Sequence, residues 1–241
     1  MVQTIHSPKF RTVYERALDR KGGESALENL LIEPASPDNI RAIPEDRFLA
    51  TMTKCINQAG FSWKVIEQKW PEFEEAFFGF KVDTLSLLSD EQWEAYTDDR
   101  RVVRSWQKIK ALKENVAWLY EERSLHQGVA NLIADWPDDD YIGLLAYIKK
   151  QGARLGGNSG QRFLRYMGKD SFVLSRDVMT ALIGLGLDLK PEPSSQREMK
   201  LIQQVFNAWR EETGRPMVQL SQIAAFSVGD NVVGVSVAPY E

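Results

Sequence analysis

Residues 138–172 read DDDYIGLLAYIKKQGARLGGNSGQRFLRYMGKDSF. The first half is punctuated as a helix. Pro137 stands at a first helical position, three aspartates fill the opening turn, and Lys149, Lys150 and Gly152 close it. Acids first, bases last and a terminal glycine suit the helix dipole and its caps. Gly156, Gly157 and Gly160 then fall within five residues, and a short helical run follows over 161–167. A dinucleotide-binding fold would need a strand before the glycines, and none is there. A phosphate-binding P-loop would need Gly-Lys-Ser/Thr, also absent. The stretch reads as helix, glycine turn, helix.

Glycines in such a turn permit positive φ and the close approach of another backbone. The first amides of the second helix lack intrahelical partners and carry the positive end of its dipole, which makes an anion site. From Lys149 to Lys169 there are six Lys or Arg and no acid. Two readings stand at this point: a phosphate grip, or a tight turn with solvated bases.

The rest of the chain is helical in pattern. Residues 8–31 suggest a helix broken at Gly22-Gly23, and the three prolines of 33–46 mark a loop. A helix is expected from about Asp46 to Gln58. Residues 61–80 keep helical spacing but are interrupted by Pro71. Between Arg100 and Arg123, Val102, Trp106, Ile109, Leu112, Val116 and Leu119 recur every three or four residues, with Arg101, Arg104 and Lys108 as a basic stripe beside them. Ser195 and Glu198 form a capping box before an apolar stripe of Met199, Ile202, Val205, Phe206 and Trp209. Strand-like alternation is confined to residues 231–240. The fold class is all-α, in a single domain over 1–241 with a helical extension at 1–45 and a tail at 228–241.

Composition bounds the function. The 241 residues are 43% hydrophobic and 27% charged, as in a soluble globular protein. No apolar run is long enough to cross a membrane, and the N-terminus has no secretory apolar core. A single cysteine, Cys55, fits a reducing compartment, and a cytoplasmic location is expected. The chain is also expected to be a monomer without cofactor. One Cys and two His (His6 and His126) are too few for a structural zinc site. The net charge of −4 makes the basic run at 149–169 a local feature of an acidic protein.

Residues 58–63 read QAGFSW and lead into the aromatic run ending at Phe80. This pattern, with the segment DDRRVVRSWQKIKALKENVAWL at 98–119, resembles the 3-methyladenine DNA glycosylase I family. The stretch LGGNSGQRFLRYMG resembles a helix-hairpin-helix, the element by which many repair enzymes hold DNA without reading sequence. The resemblance covers about residues 46–123 and 150–188. It implies two helical lobes around a cleft and hydrolysis of the N-glycosidic bond of an alkylated purine such as 3-methyladenine. The partner it implies is double-stranded DNA with alkylated bases. Such enzymes take the base out of the stack and hold it against aromatic faces.

Trp63 matches the family's base-stacking tryptophan, and Phe61 and Trp70 are further aromatic candidates for a base pocket. The family carries an acid three positions before its Gln-Ala-Gly that contacts the base; here that position is Cys55. The family's common members also bind zinc through Cys and His ligands that this chain lacks. Many helix-hairpin-helix glycosylases place a catalytic aspartate just after the hairpin, at the next helix start. Asp177, with Ser175 as the N-cap, matches by spacing, and Asp170 is the second choice. The expected DNA contacts are Lys149, Gly156, Gly157, Ser159, Gly160, Arg162, Lys169 and Arg176. An alternative is a helix-hairpin-helix protein that binds DNA or lesions without catalysis.

Overall fold

The structure is a computed structural model, and it describes residues 9–229. The His6 segment and the strand-like 231–240 lie outside the described residues. Those described are helical, without strands: α1 (Phe10–Lys21), α2 (Glu24–Glu28), α3 (Pro37–Arg41), α4 (Glu45–Gln58), α5 (Trp63–Ala76), α6 (Val82–Ser86), α7 (Asp90–Ala95), α8 (Trp106–Leu125), α9 (Val129–Asp135), α10 (Tyr141–Gln151), α11 (Asn158–Tyr166), α12 (Arg176–Gly184), α13 (Gln196–Thr213) and α14 (Met217–Phe226). The all-α expectation holds. The chain divides into two compact units. A central unit comprises Ala35–Pro137 and Gly143–Lys169, and a terminal unit joins the two chain ends, up to Pro34 and from Asp170, to Asp138–Ile142.

In the central unit α4 is the hub, packed against α8 and α11. Phe48, Leu49 and Met52 of α4, Leu112 and Leu119 of α8, and Phe163 and Leu164 of α11 are all buried. Each such side chain contributes about 1.5–3 kcal/mol by leaving water. Phe48 and Phe163 meet edge to face at 6.4 Å. Lys108 fixes the far end of α4. Its ammonium donates to the carbonyls of Ile56 (2.9 Å), Asn57 (2.9 Å) and Ala59 (3.0 Å). A cation there satisfies carbonyls that a helix end leaves without donors.

Two sequence expectations fail in this unit. Pro71 does not break α5, which runs through it to Ala76. Trp70 stacks on Phe73 (5.4 Å) and Phe80 (5.5 Å), and its indole N–H donates to Glu74, so the helix is held on both sides of the proline. The basic stripe does not form either. Residues 100–105 precede α8, Arg101 pairs with Asp99 and Glu75, and Lys108 is buried.

In the terminal unit α1 and α12 both pack on α14. Helix α1, which lies within the stretch 1–45 expected as an extension, packs into this unit. Phe10 meets Trp209 at 5.3 Å, and Phe172 stacks on Phe206 at 4.5 Å. The Ser195–Glu198 capping box is present, and its hydroxyl and amides hold the Glu198 carboxyl down at about 2.

Candidate nucleic-acid interface and base site

The glycine turn is built by steric exclusion. After α10 the chain reverses through Arg154, in the left-handed region at φ 57°, and Gly157, at φ 58°. A side-chain carbon at Gly160 would collide with the Leu155 carbonyl oxygen, so only glycine lets α11 begin here. Asn115, fully buried on α8, brackets the turn. It accepts from the Ala153 amide at 2.7 Å and donates to the Ala153 carbonyl at 3.2 Å. No side chain caps the start of α11. Its first amides, at Asn158, Ser159 and Gly160, therefore keep the anion-binding character of a helix start. The Lys149 stem lies along Gly156, and Lys149, Lys150 and Arg154 are exposed around the turn.

Three of the expected DNA contacts stand apart from this group. Lys169 is buried, and its ammonium donates to the Trp136 carbonyl at 2.5 Å, so it is not a surface cation. Arg162 turns inward, with its guanidinium carbon 4.3 Å from the centre of the Trp63 ring. Arg176 is exposed but belongs to the terminal unit. Charge along a sequence does not record which way each side chain leaves its helix.

Trp63 opens α5 and is half-buried beneath Arg162. Cys55 lies near the same arginine, whose charge acts on its thiol together with that of Lys54. Burial dominates, pushing the thiol up to about 12, so it is neutral at ordinary pH. Trp70 packs into the aromatic core described above instead of opening as a second stacking face. Phe61 is 47% exposed on the short loop after Gly60, with the Lys108 ammonium 4.5 Å from its ring centre. The structure thus gathers Cys55, Trp63 and Arg162, and sets Phe61 on the surface beside them in sequence.

Sequence reading missed the polar face that joins α4 to α5. Gln58 Nε2 donates to Glu67 at 3.0 Å, Lys54 pairs with the other Glu67 oxygen at 2.6 Å, and the Lys54 ammonium sits 5.1 Å from the Trp70 ring centre. Lys108 and Asn115 were missed as well, because their partners lie tens of residues away.

The candidate aspartates are both in the terminal unit. Asp170, the second choice, is 8% exposed and accepts from the Met217 amide (3.1 Å) and the Val218 amide (2.9 Å). It caps α14 and is spent on that task. Asp177 occupies the second position of α12, with Ser175 as the N-cap accepting from Val178. Its carboxylate lies against Gly229, where a side-chain carbon would come within 2.9 Å of Oδ1.

Residues 44–142 match the methyladenine glycosylase family. This is the family that the Gln58–Trp63 motif resembles. No curated protein matches the chain. Among solved structures, 3-methyladenine DNA glycosylase I from Staphylococcus aureus is 14% identical, with a TM-score of 0.45 over 75% of this chain and 100% of that one. Another 3-methyladenine DNA glycosylase I is 16% identical, at TM-score 0.44 over 60% and 85%. The Methanocaldococcus jannaschii 8-oxoguanine glycosylase/lyase, in complex with DNA, is 13% identical, at TM-score 0.48 over 90% and 88%. Among the described residues no group of three or more His, Cys, Asp or Glu could hold a metal ion, and no helix is long and apolar enough to cross a membrane.

Proposed function

We propose that the protein is a monofunctional DNA glycosylase that hydrolyses the N-glycosidic bond of alkylated purines, such as 3-methyladenine, in duplex DNA. The observation that carries this reading is Trp63, held under a guanidinium within the segment that matches the methyladenine glycosylases. A purine turned out of the duplex stacks on the indole, and Arg162 fixes the ring that receives it. The amides at the start of α11, with Lys149, hold the phosphates beside it through charge and without reading sequence. Phe61, aromatic and exposed on its loop, serves as the wedge that fills the gap in the stack.

The alkylated purine is already cationic and leaves readily. As the C1′–N bond breaks, its electron pair goes to the purine and discharges it. Water adds to C1′ of the oxocarbenium-like sugar and gives its proton to a carboxylate. Asp177 is the residue proposed for that carboxylate, both opposing the sugar's positive charge and receiving the proton. The protein acts as a monomer in this reading and needs no cofactor.

Purified protein incubated with dimethyl sulfate-treated duplex DNA is expected to release methylated purine, and Asp177→Asn to release it at least a hundredfold more slowly. Asp177→Asn equal to wild type would remove Asp177 from the mechanism. One observation favours a second reading: the neutral Cys55 thiol stands where the family has a carboxylate. Tight binding of alkylated duplex without base release would select that reading, a lesion binder without catalysis.

A further inference from the structure

A cationic purine stacked on Trp63 would arrive where two side-chain cations, Lys54 and Arg162, already act on Cys55. A third positive charge would be repelled unless an anion faced it. Cys55 cannot supply one, since burial keeps its thiol protonated. The anion has to come from a neighbouring side chain, and the face joining α4 to α5 carries one.

Glu67 is four residues after Trp63, so the two leave α5 on the same face, one turn apart. Its carboxylate is held from both sides. Gln58 Nε2 donates to one oxygen at 3.0 Å, and Lys54 pairs with the other at 2.6 Å. Its side chain is 39% exposed, so solvent or a ligand can still reach it. Gln58 is itself buried, and its Oε1 has no hydrogen-bond partner among the described residues. A buried acceptor without a donor is costly, and an arriving N–H group would relieve it. Glu74, two turns further along α5, is not available in the same way. Arg47 takes both of its oxygens, and the Trp70 indole donates to one of them.

We infer that Glu67 is the specificity-determining carboxylate of the base site. Together with Gln58 Oε1 it accepts N–H donors from the edge of a cationic, amino-bearing purine stacked on Trp63. This rests on the glycosylase reading and adds to it the group that selects charged over neutral bases. Lys54 and Gln58 hold the carboxylate in place.

The test is single-turnover release of 3-methyladenine from dimethyl sulfate-treated duplex, beside affinity for unmodified duplex. Glu67→Gln is expected to slow release at least tenfold while changing unmodified-duplex affinity less than twofold, and Glu67→Asp to recover part of the loss. Lys54→Met removes the ion pair but keeps the carboxylate, and is expected to slow release less than threefold. Equal losses in Glu67→Gln and Lys54→Met would make the pair a structural strut and overturn the inference. So would a Glu67→Gln protein that releases base like wild type, and in that case the glycosylase reading survives. A wild-type protein that neither releases methylated purine nor prefers alkylated duplex overturns both.

Discussion

The glycine turn and the α4–α5 face lie in the same unit and are built by opposite means. The turn is backbone: its shape depends on the absence of a side chain at Gly160 and on the Asn115 bracket around Ala153. The face is side chain, made of Trp63 under Arg162 and Glu67 between Lys54 and Gln58. Backbone amides recognise a phosphate whatever the base, so the first region suits a grip on any duplex. Selectivity for a base needs an aromatic face and a few placed polar groups, which the second region supplies. Damage to the turn is therefore expected to weaken all DNA binding. Damage to the face is expected to alter which base is processed.

That contrast is broken most forcefully at Gly160. Gly160→Ala drives a methyl into the Leu155 carbonyl and is expected to destabilise the protein by about 3 kcal/mol in chemical denaturation. It should also weaken binding to damaged and undamaged duplex alike. Next comes Lys108→Met, which leaves the three carbonyls ending α4 without their cation. A loss of about 2–3 kcal/mol is expected from the same measurement. Were it below about 0.5 kcal/mol, Lys108 would not be what ends α4.

Smaller effects sharpen the comparison. Lys149→Ala is expected to reduce the salt dependence of duplex affinity, lowering the slope of log K against log salt by about 1. Glu67→Gln is expected to leave that slope unchanged, because it faces a base and not a phosphate. Ser195→Ala, far from either region in sequence, should cost about 1 kcal/mol by removing the cap of α13. The Glu198 carboxyl in that cap is held below its ordinary value of 4.5, at about 2. A depressed folded value means that its contribution is complete above about 4.5 and is lost as pH falls through about 2. Titrating Glu198 by NMR checks the window.

The two regions also differ in how far the sequence disclosed them. Helices α10 and α11 were legible because Lys149, Lys150 and the glycines are local signals, as is the Ser195 cap of α13. The three aspartates, however, form a 3-10 turn, and α10 starts after them at Tyr141. The start of α8 was not legible, because Val102 keeps helical spacing while the chain there is still outside the helix. Pro71 misled for a related reason: the stack of Trp70 on Phe80 that supports α5 across it is a contact ten residues away. In the candidate base site, Trp63 and Cys55 belong to one local motif around Gln58–Trp63. Charge along the sequence marks Arg162 and Lys169 as phosphate ligands, but their directions depend on Trp63 and Trp136, far off in the chain. Glu67, Lys108 and Asn115 carried no local signal, because each acts only across helices.

Reception of an alkylated purine on Trp63, followed by its release, is what the proposed function rests on. It is tested most directly by chromatography of the bases freed from dimethyl sulfate-treated duplex, with wild type and Trp63→Ala compared at matched duplex affinity. Wild type is predicted to free methylated purine and Trp63→Ala to do so at least tenfold more slowly. Release by Trp63→Ala at the wild-type rate, or no release by either protein, would contradict it.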